Sequence, residues 1–273
     1  MARRRAGLTQ QELCNKAGLS YSTLAKIERG AIRTPSVFTV AAIAEATRTP
    51  LEDLMDMKSR ALRSPAPAEP KKTSKSGVKF VYFDVNGVLV RFFHRAFTEI
   101  ARQTDKPADI VETLFWRHND AVNRGNMGLK EFNSKLGREL GLADFDWLKY
   151  YLANVEPMPG IDKLLVWAAT HYEVGLISNS VPGAIEELRN SGKIPDVAYT
   201  ATVDSTKVGS VKPEPRIYDV AQQLAALGPK QIMLIDNERP NLTAADRSGW
   251  HVLWFDDFRP EESIERIKQS LVF

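Results

Sequence analysis

Apolar positions change rhythm twice along this chain. Between residues 9 and 57 they recur at helical spacing: Leu13 with Ala17, Leu24 with Ile27, then Val37, Val40, Ile43 and Ala44. That period predicts short amphipathic helices. Start and stop signals separate them. Thr9 and Glu12 have capping-box spacing, Gly18 ends the first helix, Ser20 begins the second, and Gly30 ends it. Thr34-Pro35 opens a third, and Thr49-Pro50-Leu51-Glu52 opens a last one. Two short helices across a Gly-containing turn make a helix-turn-helix pattern. From 58 to 77 the apolar rhythm disappears into Pro, Ser and Lys, which predicts an extended, flexible basic linker. Beyond it, short continuous apolar runs (78–83, 172–177, 197–200, 231–235, 251–255) alternate with helical stretches (182–190, 215–227, 240–248, 260–271). Such alternation predicts a parallel sheet covered by helices on both faces.

One run organises this second region. Phe80-Val-Tyr-Phe-Asp-Val-Asn-Gly-Val-Leu-Val90 reads as a buried strand that delivers Asp84 to its carboxyl edge, where open α/β sheets bind ligands. Residues 91–155 form a mostly helical insertion leaving just after that strand, placed to roof Asp84. It is rich in aromatics: Phe92, Phe93, Phe97, Phe115, Trp116, Phe132, Phe145 and Trp147. Most of them are expected to be the roof's own core.

Composition narrows the classes. A chain of 273 residues accommodates one full-sized domain and a small one, and 43% hydrophobic content is ordinary for a globular protein. No run of 18 apolar residues marks a membrane span, and no apolar segment follows the basic N-terminus, so a cytoplasmic protein is expected. The single cysteine, Cys14, falls in a helical apolar pattern and is expected in a core. His94, His118, His171 and His251 lack metal-ligand spacing. Charge is uneven: residues 1–75 hold 14 Lys and Arg against 7 Asp and Glu, whereas the whole chain is only +3. A basic front and a net acidic remainder point to a polyanion at the front end.

The runs Gly7-Leu-Thr-Gln-Gln-Glu-Leu13, Ala17-Gly-Leu-Ser20 and Ile27-Glu-Arg-Gly30 resemble the Cro/repressor-type (XRE) helix-turn-helix family over residues 1–57. That resemblance implies a second motif helix lying in the major groove of double-stranded DNA. It places Tyr21, Ser22, Thr23 and Lys26 against bases, and Gln10 on a phosphate. It further implies a homodimer on a palindromic operator. The family's first helix is usually longer than residues 1–5 allow; either it is shortened here or Arg3, Arg4 and Arg5 form a loose basic arm.

Four motifs in 78–273 resemble the haloacid dehalogenase (HAD) superfamily. They are Phe83-Asp-Val-Asn-Gly-Val-Leu89, Leu176-Ile-Ser-Asn-Ser180, Gly209-Ser-Val-Lys-Pro-Glu-Pro215 and Met233-Leu-Ile-Asp-Asn237. The insertion, about 91–155, is similar to that family's helical cap. The architecture implied is two domains, an all-α helix-turn-helix followed by a Rossmann-like α/β HAD core with an inserted cap. By the same resemblance, Asp84 is the nucleophile, Ser178, Asn179 and Lys212 hold phosphate, and Mg²⁺ lies among Asp84, Asn86, Asp236 and Asn237.

Two positions depart from the family pattern. Asn86 stands where most phosphatases of the family carry the acid that protonates the leaving group, and losing a general acid costs about 10²–10⁴ in rate. Asn237 stands where a second acid is common, leaving a weak Mg²⁺ site. Three functions follow. The first is a DNA-binding transcriptional regulator whose catalytically impaired HAD domain senses a small phosphorylated ligand or pairs subunits. The second is a bifunctional protein with a slow Mg²⁺-dependent phosphatase working through an aspartyl-phosphate. The third is a haloacid dehalogenase. Whether the chain is an enzyme stays open at this level.

Overall fold

The computed structural model describes residue 3 and residues 6–29, 31–32, 35–49 and 71–272. Contacts divide the chain into two units, Met1–Ala68 and Glu69–Phe273.

The first unit contains α1 (Gln10–Ala17), α2 (Tyr21–Glu28) and α3 (Val37–Thr47). Its caps follow the sequence signals. The Glu12 amide donates to Thr9 Oγ1 at 3.2 Å, and the Thr9 amide donates to Glu12 Oε2 at 2.7 Å. Gly18 closes α1 in the left-handed region at φ 63°, and Ser20 Oγ accepts from the Thr23 amide at 3.1 Å to start α2. α3 is capped by Ser36. Leu13, Cys14 and Leu24 are buried together, with Leu8, Ala17, Ile43 and Ala46 packed on them. Arg3 is not a loose arm: its guanidinium pairs with Glu28 at 2.7 Å. Arg4, Arg5, Gly30, Thr34 and the helix expected after Thr49 lie outside the described residues.

In the second unit, β1 (Phe80–Phe83) leads into the hairpin-like turn at Asn86 and then β2 (Val90–Arg91). Four helices follow: α4 (Arg95–Thr104), α5 (Ala108–Asn123), α6 (Leu129–Leu140) and α7 (Trp147–Asn154). β3 (Glu156–Pro157) pairs antiparallel with β2, so the two ends of the insertion are joined as one short ribbon. The chain then alternates: α8 (Ile161–His171), β4 (Glu173–Ser178), α9 (Ala184–Asn190), β5 (Ala201–Asp204), α10 (Ser205–Val208), α11 (Pro215–Ala225), β6 (Ile232–Asp236), α12 (Arg239–Arg247), β7 (His251–Trp254) and α13 (Pro260–Ser270).

The five main strands form a parallel sheet in the order β5-β4-β1-β6-β7. β1 is central and buried on both faces, which is why its sequence is apolar without alternation. Val81 and Phe83 belong to one hydrophobic layer, Phe80 and Tyr82 to the other. The register brings Asp84, Ser178 and Asp236 to the same carboxyl edge.

Two expectations shift. The strand expected at 197–200 forms at Ala201–Asp204 instead; Thr200 donates its amide to Val174, and the ladder with β4 begins one residue later. Residues 71–77, read as linker, are held on the α/β unit: the Lys72 amide donates to His171 and the Lys75 amide to Val272, while Ser74 is buried.

Candidate functional site

A cavity of about 490 Å³ opens at the carboxyl edge of the sheet, beneath the cap. Its floor holds Asp84, Asn86, Lys212 and Asn237, and cap residues Phe115, Trp116, Asn119, Asn123, Trp147 and Tyr151 also line it.

The floor is a buried charge triad. Lys212 Nζ lies 2.8 Å from Asp84 Oδ1 and 2.7 Å from Asp236 Oδ2, and all three side chains are less than a tenth exposed. Burial raises the Asp84 carboxyl to about 7, against the pull of Lys212 and with the push of Asp236. Burial by itself lowers the Lys212 ammonium, yet Asp236 and Asp84 together hold it above its ordinary value. Lys212 is therefore a cation shared between two carboxylates. Asn179 fixes its backbone from both sides: the Lys212 amide donates to Asn179 Oδ1 at 2.7 Å, and Asn179 Nδ2 donates to the Lys212 carbonyl at 2.8 Å.

Asn86 is engaged by the roof. The Tyr151 hydroxyl on α7 donates to Asn86 Oδ1 at 2.8 Å. Burial and the nearby Asp84 raise the Tyr151 phenol further out of the titrating range, so it stays a donor. With one lone pair of Oδ1 committed to Tyr151, the amide NH₂ of Asn86 is the side chain's uncommitted donor toward a ligand. Gly87, at φ 86°, gives the room for this turn, since an added Cβ would stand 2.2 Å from Asn237 Nδ2.

Of the residues predicted for this site, Asp84, Asn86, Asn179, Lys212 and Asn237 line the cavity, while Asp236 reaches it through Lys212 and Ser178 stands apart. Ser178 is fully buried, and its hydroxyl makes only a long contact, 3.5 Å, to the Asn179 carbonyl. It lies behind the lining, whereas Ser180 is in it. Glu238 also lines the cavity.

The donor set for a divalent cation is uneven. Among the described residues, no three His, Cys, Asp or Glu side chains converge on one point. Asp236 gives both oxygens to protein donors: Lys212, the Glu238 amide at 2.8 Å, and Asn241 Nδ2 at 3.2 Å. In contrast, Asn237 Oδ1 is buried without a hydrogen-bond partner, an uncommitted hard oxygen of the kind Mg²⁺ takes. The residues present fit a weak oxygen-donor site rather than a carboxylate-rich one.

Most of the insertion's aromatics are cap core as expected, since Phe97, Phe115, Phe132, Phe145 and Trp147 belong to the main hydrophobic cluster. What the sequence did not show is that Phe115 and Trp147, with Phe92, Phe93, Trp116 and His94, also line the cavity. Helical spacing shows which cap residues share a face, not which face meets the sheet edge.

In the first unit, Tyr21, Ser22 and Lys26 are exposed on α2, with Thr23 half-buried. Gln10 is not free for an outside anion. Its Oε1 accepts from the Tyr21 hydroxyl at 2.7 Å and its Nε2 donates to Glu28 at 2.6 Å, which ties the start of α1 to the first turn of α2.

Residues 1–54 match the helix-turn-helix family model. Three solved structures resemble the second unit. An HAD-family enzyme from Bacteroides thetaiotaomicron, an aspartate-to-alanine variant with magnesium and inorganic phosphate, gives a TM-score of 0.55 at 20% identity over 66% of this chain and 95% of its own. A structure described as a predicted HAD-like family hydrolase from Porphyromonas gingivalis gives 0.58 at 21% identity, over 70% and 98%. An L-2-haloacid dehalogenase from Xanthobacter autotrophicus, with chloropropionic acid covalently bound, gives 0.50 at 16% identity, over 72% and 85%. At such identities the likeness is one of fold. No curated protein shows a significant match to the chain. No helix of the described residues is long and apolar enough to cross a membrane.

Proposed function

We propose, from a helix-turn-helix unit joined to a domain of HAD fold, a DNA-binding transcriptional regulator whose α/β domain binds a small phosphorylated ligand and turns it over poorly. The observation that carries this reading is Asn86. An amide cannot give and retrieve a proton at neutral pH, and this one is held by Tyr151 at 2.8 Å. The rest of the floor retains what a phosphate needs: the Lys212 cation and the Asp84 carboxylate at 2.8 Å from each other. Phosphate would lie between Lys212 and the Asn179–Ser180 turn, with Ser178 shaping that turn from behind. Asp84, Asn86 through its backbone carbonyl, Asn237 and, if it releases Lys212, Asp236 would hold Mg²⁺, which supplies charge neutralisation at the phosphate. In the front unit, Tyr21, Ser22, Thr23 and Lys26 face bases, and Gln10 positions Tyr21. Two subunits on a palindromic operator suit the motif, since half-sites about 34–36 Å apart need two linked readers.

A slow phosphatase is the second reading, favoured by the intact Asp84–Lys212 pair. Dehalogenation suits the cavity less, because about 490 Å³ far exceeds what a small haloacid fills. The test is hydrolysis of an aryl phosphate with Mg²⁺ by the full chain, with Asp84→Asn as control. Little Asp84-dependent turnover is expected; brisk turnover abolished by that change selects the phosphatase. Genome-wide mapping of bound DNA tests the regulator, and a pattern without discrete sites would sink it.

A further inference from the structure

The floor explains how a phosphate is held, but not why the roof is built as it is. Six of the chain's 11 asparagines line this one cavity. Three are engaged within the protein, Asn86 with Tyr151, Asn179 with Lys212 and Asn241 with Asp236, and Asn237 belongs to the floor. Asn123, the last residue of α5, is only 8% exposed, lines the cavity, and its Oδ1 has no hydrogen-bond partner. A buried carboxamide left without a partner is destabilising, so a ligand that pairs with it recovers that cost. Asn119 lies one helical turn earlier on the same face of α5 and also lines the cavity. Phe115 and Trp116 flank the pair on the same helix, and Trp147 lies 4.3 Å from Phe115, ring centre to ring centre. Arg91, also in the lining, has a buried Nε without a partner.

A carboxamide presents one donor and one acceptor side by side, the complement of an amide or amidine edge on a flat ring. Aromatic side chains beside it supply a stacking face for the same ring. We propose that α5 reads the end of the ligand remote from phosphate, through Asn119, Asn123 and Trp116, and that this end is a nucleobase. The ligand class is a nucleoside monophosphate. This rests on the reading of the floor as a phosphate site, and the two fail differently.

The experiment is calorimetric titration of the full chain, without added metal, using the four common ribonucleoside 5′-monophosphates, their free nucleosides, ribose 5-phosphate and inorganic phosphate. At least one nucleotide should bind about tenfold or more tighter than ribose 5-phosphate, the worth of one well-made hydrogen-bonded edge. That ratio should fall to about one in Asn123→Leu and also in Trp116→Ala, the latter at a position 47% exposed and therefore safe for folding. Ribose 5-phosphate binding as tightly as every nucleotide overturns the nucleobase and leaves the phosphate site standing. So does a preference that survives both substitutions. Binding of a free nucleoside with no binding of inorganic phosphate, ribose 5-phosphate or any nucleotide removes the phosphate reading and overturns the nucleoside monophosphate with it. No binding by any probe removes both.

Discussion

Lys212 sits between two carboxylates on the buried floor of the cavity, one cation set against Asp84 and Asp236. Its two faces predict opposite outcomes. Replacing Lys212 by Met strands two buried carboxylates, and breaking a buried pair in this way costs about 3–5 kcal/mol. Asp84→Asn instead leaves Lys212 balanced by Asp236 at 2.7 Å, so it should be neutral or stabilising by up to about 1 kcal/mol. Urea denaturation of both variants beside the wild type checks the pair; a Lys212→Met protein as stable as wild type would show that the triad is not buried as described. Asn86 carries the catalytic version of the same logic. Asn86→Asp puts a titratable group where an amide now lines the cavity, and Asp84-dependent hydrolysis of an aryl phosphate should rise about 10²-fold or more. A flat response would mean that the missing acid is not what limits turnover. Tyr151 qualifies this: its hydroxyl, now donating at 2.8 Å, would donate equally to a carboxylate and favour the ionised form, so Tyr151→Phe in the Asn86→Asp background should raise turnover further.

At the scale of elements, α2 begins with Tyr21 and Ser22 exposed, and Ser20 closes that end by accepting from the Thr23 amide at 3.1 Å. Ser20→Ala should cost the helix-turn-helix unit about 1 kcal/mol, read as a lowered first transition in circular dichroism of the full chain. Tyr21→Ala should weaken operator binding in fluorescence anisotropy, and Gln10→Ala should weaken it less, since it frees the Tyr21 hydroxyl without removing the ring. Equal binding by all three proteins would take α2 out of the groove. These caps were legible in the sequence because a capping box, a left-handed Gly and an N-cap Ser act within four residues of chain. β1 was legible because a strand buried on both faces has no alternation to lose. β5 was displaced by four residues because 197–200 and 201–204 are similarly strand-prone. Pairing with β4, distant in sequence, decides between them. Which cap aromatics also line the cavity was not legible for a related reason: α5 has apolar residues around more than one face, and only its packing with α4, α6 and α10 leaves Trp116 and Asn123 in the lining.

Across the whole molecule, the basic excess of residues 1–75 and the acidic remainder make a prediction that neither unit makes alone. Cations that neutralise DNA phosphates release condensed counterions, so the logarithm of affinity falls with the logarithm of salt at about 0.9 per phosphate contact. Only the front of the chain carries a net positive charge to contribute to that slope. Lys26→Ala removes one exposed cation from α2, and the slope should become shallower by about 1 if Lys26 meets a phosphate, or stay unchanged with lowered sequence preference if it meets a base. Lys212→Met removes one cation as well, but from a cavity where it is 4% exposed and already shared by two carboxylates. Its slope should equal that of the wild type at any temperature where the variant remains folded. Titrations against one operator fragment at several salt concentrations separate these cases. A slope altered by Lys212→Met as much as by Lys26→Ala would mean that the α/β unit lies on the DNA, and the division into a reading unit and a ligand-holding unit would have to be abandoned.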